Sequence, residues 1–399
     1  MRPKNTDGDN EIPTLLLRFL GACIFGEAAA YYCELNKTEQ VELDAQGRKF
    51  GMAAWFYRFL YVVLPEEKRT AYQKIYQARQ VSALIGAREL KRLYGVLSSH
   101  GLRFVPIKGA DLTYRVYPDP ALRIFCDWDI WFHPDDCERA LVVLADDGWK
   151  VPNVSSAALD ASQIRGEHHF LNHVRGQYRL EPHFSLANFE GIAPNKMWDH
   201  TLVYPSGDGQ RVLSPEMNLL MLTRHAASKS YFHAHLPKLL TDAAMVMQKE
   251  KVNYKKLREL ANSWNLPYSG DLLAAFPEFF PSEVIAEFKA DSNKVEDFRQ
   301  VFEIRAKLGE QANAALLLTR YVIRGQVAGK VLIHIKTHTP NTMRFIYHLP
   351  ERGAWERVAL AYCCWFLTRI WRVRFWMRRN SLLREYAQIV ETAEACRDS

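Results

Sequence analysis

Two aspartates one residue apart, Asp127 and Asp129 in the run FCDWDIWF, are the side chains of this chain best suited to chemistry. Phe, Trp and Ile make the run a strand candidate over 125–132. Strand side chains alternate faces, so the two carboxylates point the same way, roughly 7 Å apart at about 3.3 Å rise per residue. Cys126, Trp128, Ile130 and Phe132 then face a core. Two carboxylates on one strand face repel each other, and a divalent cation such as Mg²⁺, which prefers hard carboxylate oxygens, relieves the repulsion.

Two further features lie near in sequence. Lys108-Gly109 falls between a predicted strand and a predicted helix, where glycine permits close backbone approach and lysine adds a mobile positive charge. In YRLEPHFSL, alternation puts Arg179, Glu181 and His183 on one strand face, which suits a polar cleft. Taken singly, each has a blander reading: a turn, or the polar face of an edge strand. Taken together they describe an anion loop, a carboxylate pair on the next strand and a third carboxylate on a later one.

That set resembles the nucleotidyltransferase superfamily that includes DNA polymerase beta, kanamycin nucleotidyltransferase and the minimal nucleotidyltransferases. Within it, the chain is similar to the uncharacterised nucleotidyltransferase family whose members read K-G, then a tyrosine and prolines, then R, D-x-D, and an acid beside H. Here these are Lys108-Gly109, Tyr117-Pro118, Arg123, Asp127-x-Asp129 and Glu181-x-His183, and the similarity spans roughly residues 80–250. Better-known members carry Gly-Ser where this chain has Lys108-Gly109, so lysine takes the place of a serine that contacts a nucleotide phosphate.

The resemblance implies an α/β (α+β) fold with a mixed-sheet core and helical flanks. It implies transfer of an NMP group from an NTP, ATP by default, to a hydroxyl of a small molecule or protein. Asp127, Asp129 and Glu181 would be the catalytic and metal-holding acids of a two-metal mechanism using Mg²⁺ or Mn²⁺. Lys108, Gly109, Arg123 and His183 would bind the nucleotide. Arg123 has an equal alternative as the structural partner of Asp127 or Asp129.

The elements that must position these groups are legible as patterns. Apolar residues recur at helical spacing over 15–34 and 52–64, and over 66–99 on a stripe of Ile75, Val81, Leu84, Ile85, Leu90, Leu93 and Leu97. Gly101 can cap that last helix. A strand at 102–107, a helix at 110–116 and the Asp-Trp-Asp strand follow. Asp135 and Glu138 form a capping-box pattern opening a helix at 137–145 that Gly148 ends. Strands are predicted at 149–152, 168–174 and 177–184, the last two turning at Arg175-Gly176. Ser214-Pro215-Glu216 is a helix-start signal, and helices are predicted over 216–229, 236–249, 254–263, 282–289, 294–323 and 354–395. The division expected is 1–75 (N-terminal helical), 76–205 (nucleotidyltransferase core) and 206–399 (C-terminal helical).

Composition bounds rather than identifies. The chain has 399 residues, 48% hydrophobic and 24% charged, with a net charge of +7 that is too weak to claim nucleic acid. Seven scattered cysteines without a CxxC pair suit a reducing compartment, and the expected location is cytoplasmic. The run LLLRFLGACIFGEAAA, broken by Arg18 and Glu27, reads as a core helix rather than a signal peptide. His168, His169, His173 and His183 crowd one region without zinc-site spacing. His225, His233 and His235 suit surface or helix-end positions. The Trp- and Arg-rich segment CCWFLTRIWRVRFWMRR (363–379) suits a core helix with snorkelling arginines, with peripheral membrane or RNA contact as alternatives. Two rivals to the enzyme remain: a catalytically weakened nucleotide-binding regulator, and an interaction protein working through that segment.

Overall fold

The computed structural model describes residues 13–296, apart from 126, 151–172, 184–185, 187–191, 193, 205–209, 229–231, 265–268, 291 and 293–294. The helices expected at 294–323 and 354–395 and the histidines His168 and His169 therefore lie outside the described residues or almost wholly so.

Five helices come first: α1 (Thr14–Phe25), α2 (Ala28–Glu34), α3 (Lys37–Lys49), α4 (Ala53–Leu60) and α5 (Glu66–Ser99). The single helix expected over 15–34 is two, because Gly26 adopts a left-handed φ of 81° that closes α1. Helix α3 was not anticipated. Its signal is present in Asn36 and Glu39, which form a full capping box.

The α/β part follows with β1 (Phe104–Pro106), α6 (Gly109–Arg115), β2 (Trp128–Phe132), α7 (Cys137–Asp146), β3 (His173–Arg175) and β4 (Tyr178–His183). The sheet order is β1-β2-β4-β3. β1 runs antiparallel to β2, β2 parallel to β4, and β3 antiparallel to β4. After α8 (Pro194–Trp198) and the hairpin of β5 (Thr201–Val203) and β6 (Arg211–Leu213), five helices close the described chain. These are α9 (Pro215–Ser228), α10 (Phe232–Lys249), α11 (Tyr254–Ser263), α12 (Ser269–Ala274) and α13 (Ser282–Phe288). Ser214 opens α9 as its sequence suggests, its Oγ accepting from the Met217 amide at 3.2 Å. The mixed sheet with helical flanks is the expected α/β architecture.

Two cores hold it together. One packs Leu16, Phe19 and Leu20 of α1 with Trp55 and Phe56 of α4, Met217 of α9 and Leu240 of α10. The described helices before and after the sheet thus share one interior. Their approach is close: a Cβ on Gly21 would meet the Glu278 carbonyl oxygen at 2.1 Å. The other core lies under the sheet, where Trp128, Ile130 and Phe132 of β2 and Leu180 of β4 pack on Leu90, Leu93 and Leu97 of α5 and Leu144 of α7. Because Trp131 on the opposite face of β2 belongs to the first core, that strand is covered on both sides.

The 34-residue α5 joins the two cores, about 51 Å long at 1.5 Å per residue. Tyr72 and Tyr76 enter the first, Leu90, Leu93 and Leu97 the second. The stripe read from sequence is therefore interrupted. Val81, Leu84 and Ile85 are exposed, because they fall in the span between the packed ends. Residues 75 and 76 lie inside this helix.

Two local expectations are corrected. The Asp135/Glu138 capping box does not form. A 3-10 turn over Pro134–Asp136 precedes α7, His133 accepts from the Asp135 amide, and Asp136 is drawn to Arg103. The strand expected at 149–152 is reduced, within the described residues, to a single bridge between Lys150 and Val174.

Candidate active site

The site is assembled from the ends of three strands. β1 delivers Lys108, which adopts φ 52° and ψ −125° at the start of α6. A non-glycine residue in this region costs on the order of 1–3 kcal/mol and persists only when its surroundings impose it. Gly109 supplies part of that imposition. Its Cα lies so close to Phe125 that an added Cβ would sit 2.5 Å from the Phe125 Cβ. The glycine thus seats the lysine loop directly against the segment that carries Asp127.

β2 and β4 deliver the acids. They run in parallel with Asp129 opposite Glu181 and Trp131 opposite His183. Asp129, Glu181 and His183 each present a ligand atom within 4.8 Å of the others. The His183 Nε2 lies 2.8 Å from Asp129 Oδ1 and 3.9 Å from Glu181 Oε2. Lys108 Nζ donates to the same Asp129 Oδ1 at 2.6 Å. Both contacts fall on one oxygen, so Oδ2 is engaged by neither.

Asp129 and His183 are buried, Glu181 is half-buried, and the Lys108 side chain is 21% exposed. Burial pushes the Asp129 carboxyl up, but the charge of Lys108 and the bond from His183 outweigh it and hold the group well below the usual carboxylate range. Burial pulls the Lys108 ammonium down, and Asp129 more than restores it, with Glu181 and Asp127 adding to the effect. Lys108 is therefore a firmly charged cation facing three carboxylates.

Asp127 lies one residue before β2 begins, half-buried, and stands outside the tight Asp129–Glu181–His183 cluster while contributing to the field at Lys108. The strand is shorter than its sequence suggests, so Asp127 belongs to the bend leading into it. Arg123 is turned elsewhere. Its Nε and Nη2 donate to Asp242 at 2.7 and 2.8 Å, and its Nη1 to the Ile124 carbonyl at 2.6 Å. Tyr117, read from sequence as part of the same motif, donates to Asp242 at 2.6 Å. The structural partner of Arg123 is thus Asp242 of α10 rather than Asp127 or Asp129. Sequence reading passed over Asp242. The sign was a lone acid inside the apolar helical run LLTDAAMVM.

Asp111, one turn into α6, is held by Arg115 at 2.6–2.7 Å. His225 lies in the last turn of α9, and His233 and His235 fall within α10. Among the described residues, no helix is long and apolar enough to cross a membrane.

Two carboxylates and an imidazole converging within 4.8 Å fit a divalent cation, and the ammonium on Asp129 marks where positive charge is accepted. No curated protein and no solved structure matches the chain. A family match covers residues 57–272, more than half of the chain and all of the groups just described. With Lys108-Gly109, the Asp-x-Asp and Glu181-x-His183 gathered at the ends of adjacent strands, the chain belongs to the uncharacterised nucleotidyltransferase family.

Proposed function

We propose that this protein transfers a nucleotidyl group from a nucleoside triphosphate to a hydroxyl of a small molecule or protein. The acceptor oxygen attacks the α-phosphorus, the bond to the bridging oxygen breaks, pyrophosphate leaves, and the hydroxyl proton passes to a carboxylate or to water. The observation that carries the reading is the register of β2 and β4, which sets Asp129 beside Glu181 with His183 and Lys108 against them.

Asp129 and Glu181, with Asp127 at the entry, would hold Mg²⁺ or Mn²⁺ in a two-metal arrangement. When bound, such ions supply Lewis-acid stabilisation of the phosphoryl charge and lower the pKa of the attacking hydroxyl. His183 fixes the Asp129 carboxylate through its 2.8 Å contact. Glu181, half-buried and opposite Asp129 in the register, would accept the hydroxyl proton. Lys108 carries a charge that can follow the pyrophosphate as it leaves. Arg123 acts from behind, holding the segment into β2 in place through Asp242.

The test is incubation of the purified protein with each α-labelled NTP, Mg²⁺ or Mn²⁺, and cell extract, followed by fractionation of the label. Label should move from nucleotide to an acceptor. Asp129→Asn and Glu181→Gln should each cut transfer at least about 100-fold, since loss of even an outer partner of a metal ligand costs 10–100-fold. Undiminished transfer in both folded variants would refute the assignment.

A further inference from the structure

We infer that Lys108 is a resident substitute for the divalent cation, and that nucleotide binding is what moves it off Asp129, so that free cation and nucleotide bind this site as a coupled pair. The inference rests on the nucleotidyltransferase reading of the same cleft.

Four observations carry it. Lys108 Nζ sits 2.6 Å from Asp129 Oδ1, on the carboxylate at the centre of the ligand cluster. An ammonium there and a divalent cation bound to Asp129 would be two positive charges on one buried carboxylate. The occupant is also removable. The lysine stem has four carbons, its side chain is 21% exposed, and among the described residues its ammonium bonds to Asp129 alone. Finally, the backbone is distorted to put a lysine here: φ 52° with ψ −125° is a glycine conformation, and the sequence spends a long cationic side chain on it.

The consequence follows from linkage. A cation arriving alone must displace the ammonium and leave it facing Asp127 and Glu181 without its bond to Asp129. A triphosphate offers the ammonium a better partner and brings the cation with it. Each ligand then raises the affinity for the other by the same factor, typically 5- to 150-fold in coupled sites. Asp129 stays paired and the site unloaded until nucleotide is present. Asp129 also keeps its His183 contact, so the carboxylate does not reorient during the exchange.

The probes are Mn²⁺ alone, read by the loss of its free-ion electron paramagnetic resonance signal, and Mn²⁺ with each of the four α,β-methylene nucleoside triphosphates. The proteins are wild type, Lys108→Met and Lys108→Gly. The glycine variant relaxes the backbone, so a folding defect in the methionine variant does not end the experiment. In both variants, affinity for Mn²⁺ alone should rise at least about 5-fold, while affinity for the analogue falls about 10-fold or more. The factor by which Mn²⁺ and analogue reinforce each other should also shrink, leaving what their direct coordination supplies. Unchanged or weaker binding of Mn²⁺ alone in both folded variants would overturn the exchange while leaving the active-site reading standing. If no protein, wild type or variant, bound Mn²⁺ with or without analogue, both would fall.

Discussion

Lys108–Asp129 and Arg123–Asp242 are both short ion pairs on a buried carboxylate, and they differ in whether their bonding is closed. Asp242 is fully buried and accepts three donors, Tyr117 and Arg123 Nε on one oxygen and Arg123 Nη2 on the other. The remaining Arg123 nitrogen takes a backbone carbonyl. One positive charge meets one negative charge, and the set needs nothing further. Around Asp129, a single strained lysine faces three carboxylates, and both contacts crowd onto one oxygen. A closed pair fastens α10 to the segment entering β2. An open one, with acid in excess, is built to receive a cation.

The largest effect should come from opening the closed pair. Asp242→Ala leaves the Arg123 guanidinium buried without its carboxylate, a change that costs about 3–5 kcal/mol. Urea unfolding should show that loss, whereas Lys108→Gly should cost far less, because it removes strain along with the salt bridge. Equal destabilisation by the two would erase the distinction between them.

A smaller effect comes from a third pair that sets the baseline. Arg92 donates to both oxygens of Asp147 at 2.7 and 2.5 Å, tying α5 to the end of α7, but the arginine is one-third exposed. The bonds from Arg92 pull the Asp147 carboxyl below its usual value despite its burial. A depressed carboxyl contributes stability that is present above its unfolded pKa and lost as pH falls through its folded value. Arg92→Met should therefore lower stability by about 0.5–1 kcal/mol at pH 7, and the gap to wild type should close as pH drops below about 4. Thermal melts across pH 3–7 would show it. A gap that widens in acid would put the sign wrong.

Much of the site was readable from local sequence because strand alternation is a local rule. Asp129, Glu181 and His183 sit where period-two counting placed them, and Lys108-Gly109 stands between strand and helix as its neighbours suggested. What sequence left unread depends on distant chain. The reason for Gly109 is Phe125, sixteen positions on, and the partner of Arg123 is Asp242, across more than a hundred residues. No periodicity encodes either contact. The α5 stripe failed for a related reason: 3.6-residue spacing says which side chains share a face, but not that the middle of a long helix spans the gap between two cores. The Asp135/Glu138 cap failed because Arg103, from the start of β1, claimed the neighbouring Asp136.

The most direct measurement is anomalous diffraction from crystals grown with Mn²⁺ and an α,β-methylene nucleoside triphosphate. The account predicts a manganese peak within about 2.5 Å of carboxylate oxygens of both Asp129 and Glu181, with the Lys108 ammonium moved from Asp129 to the phosphates. A nucleotide bound away from these strand ends, or Lys108 still on Asp129 with no manganese beside it, would contradict it.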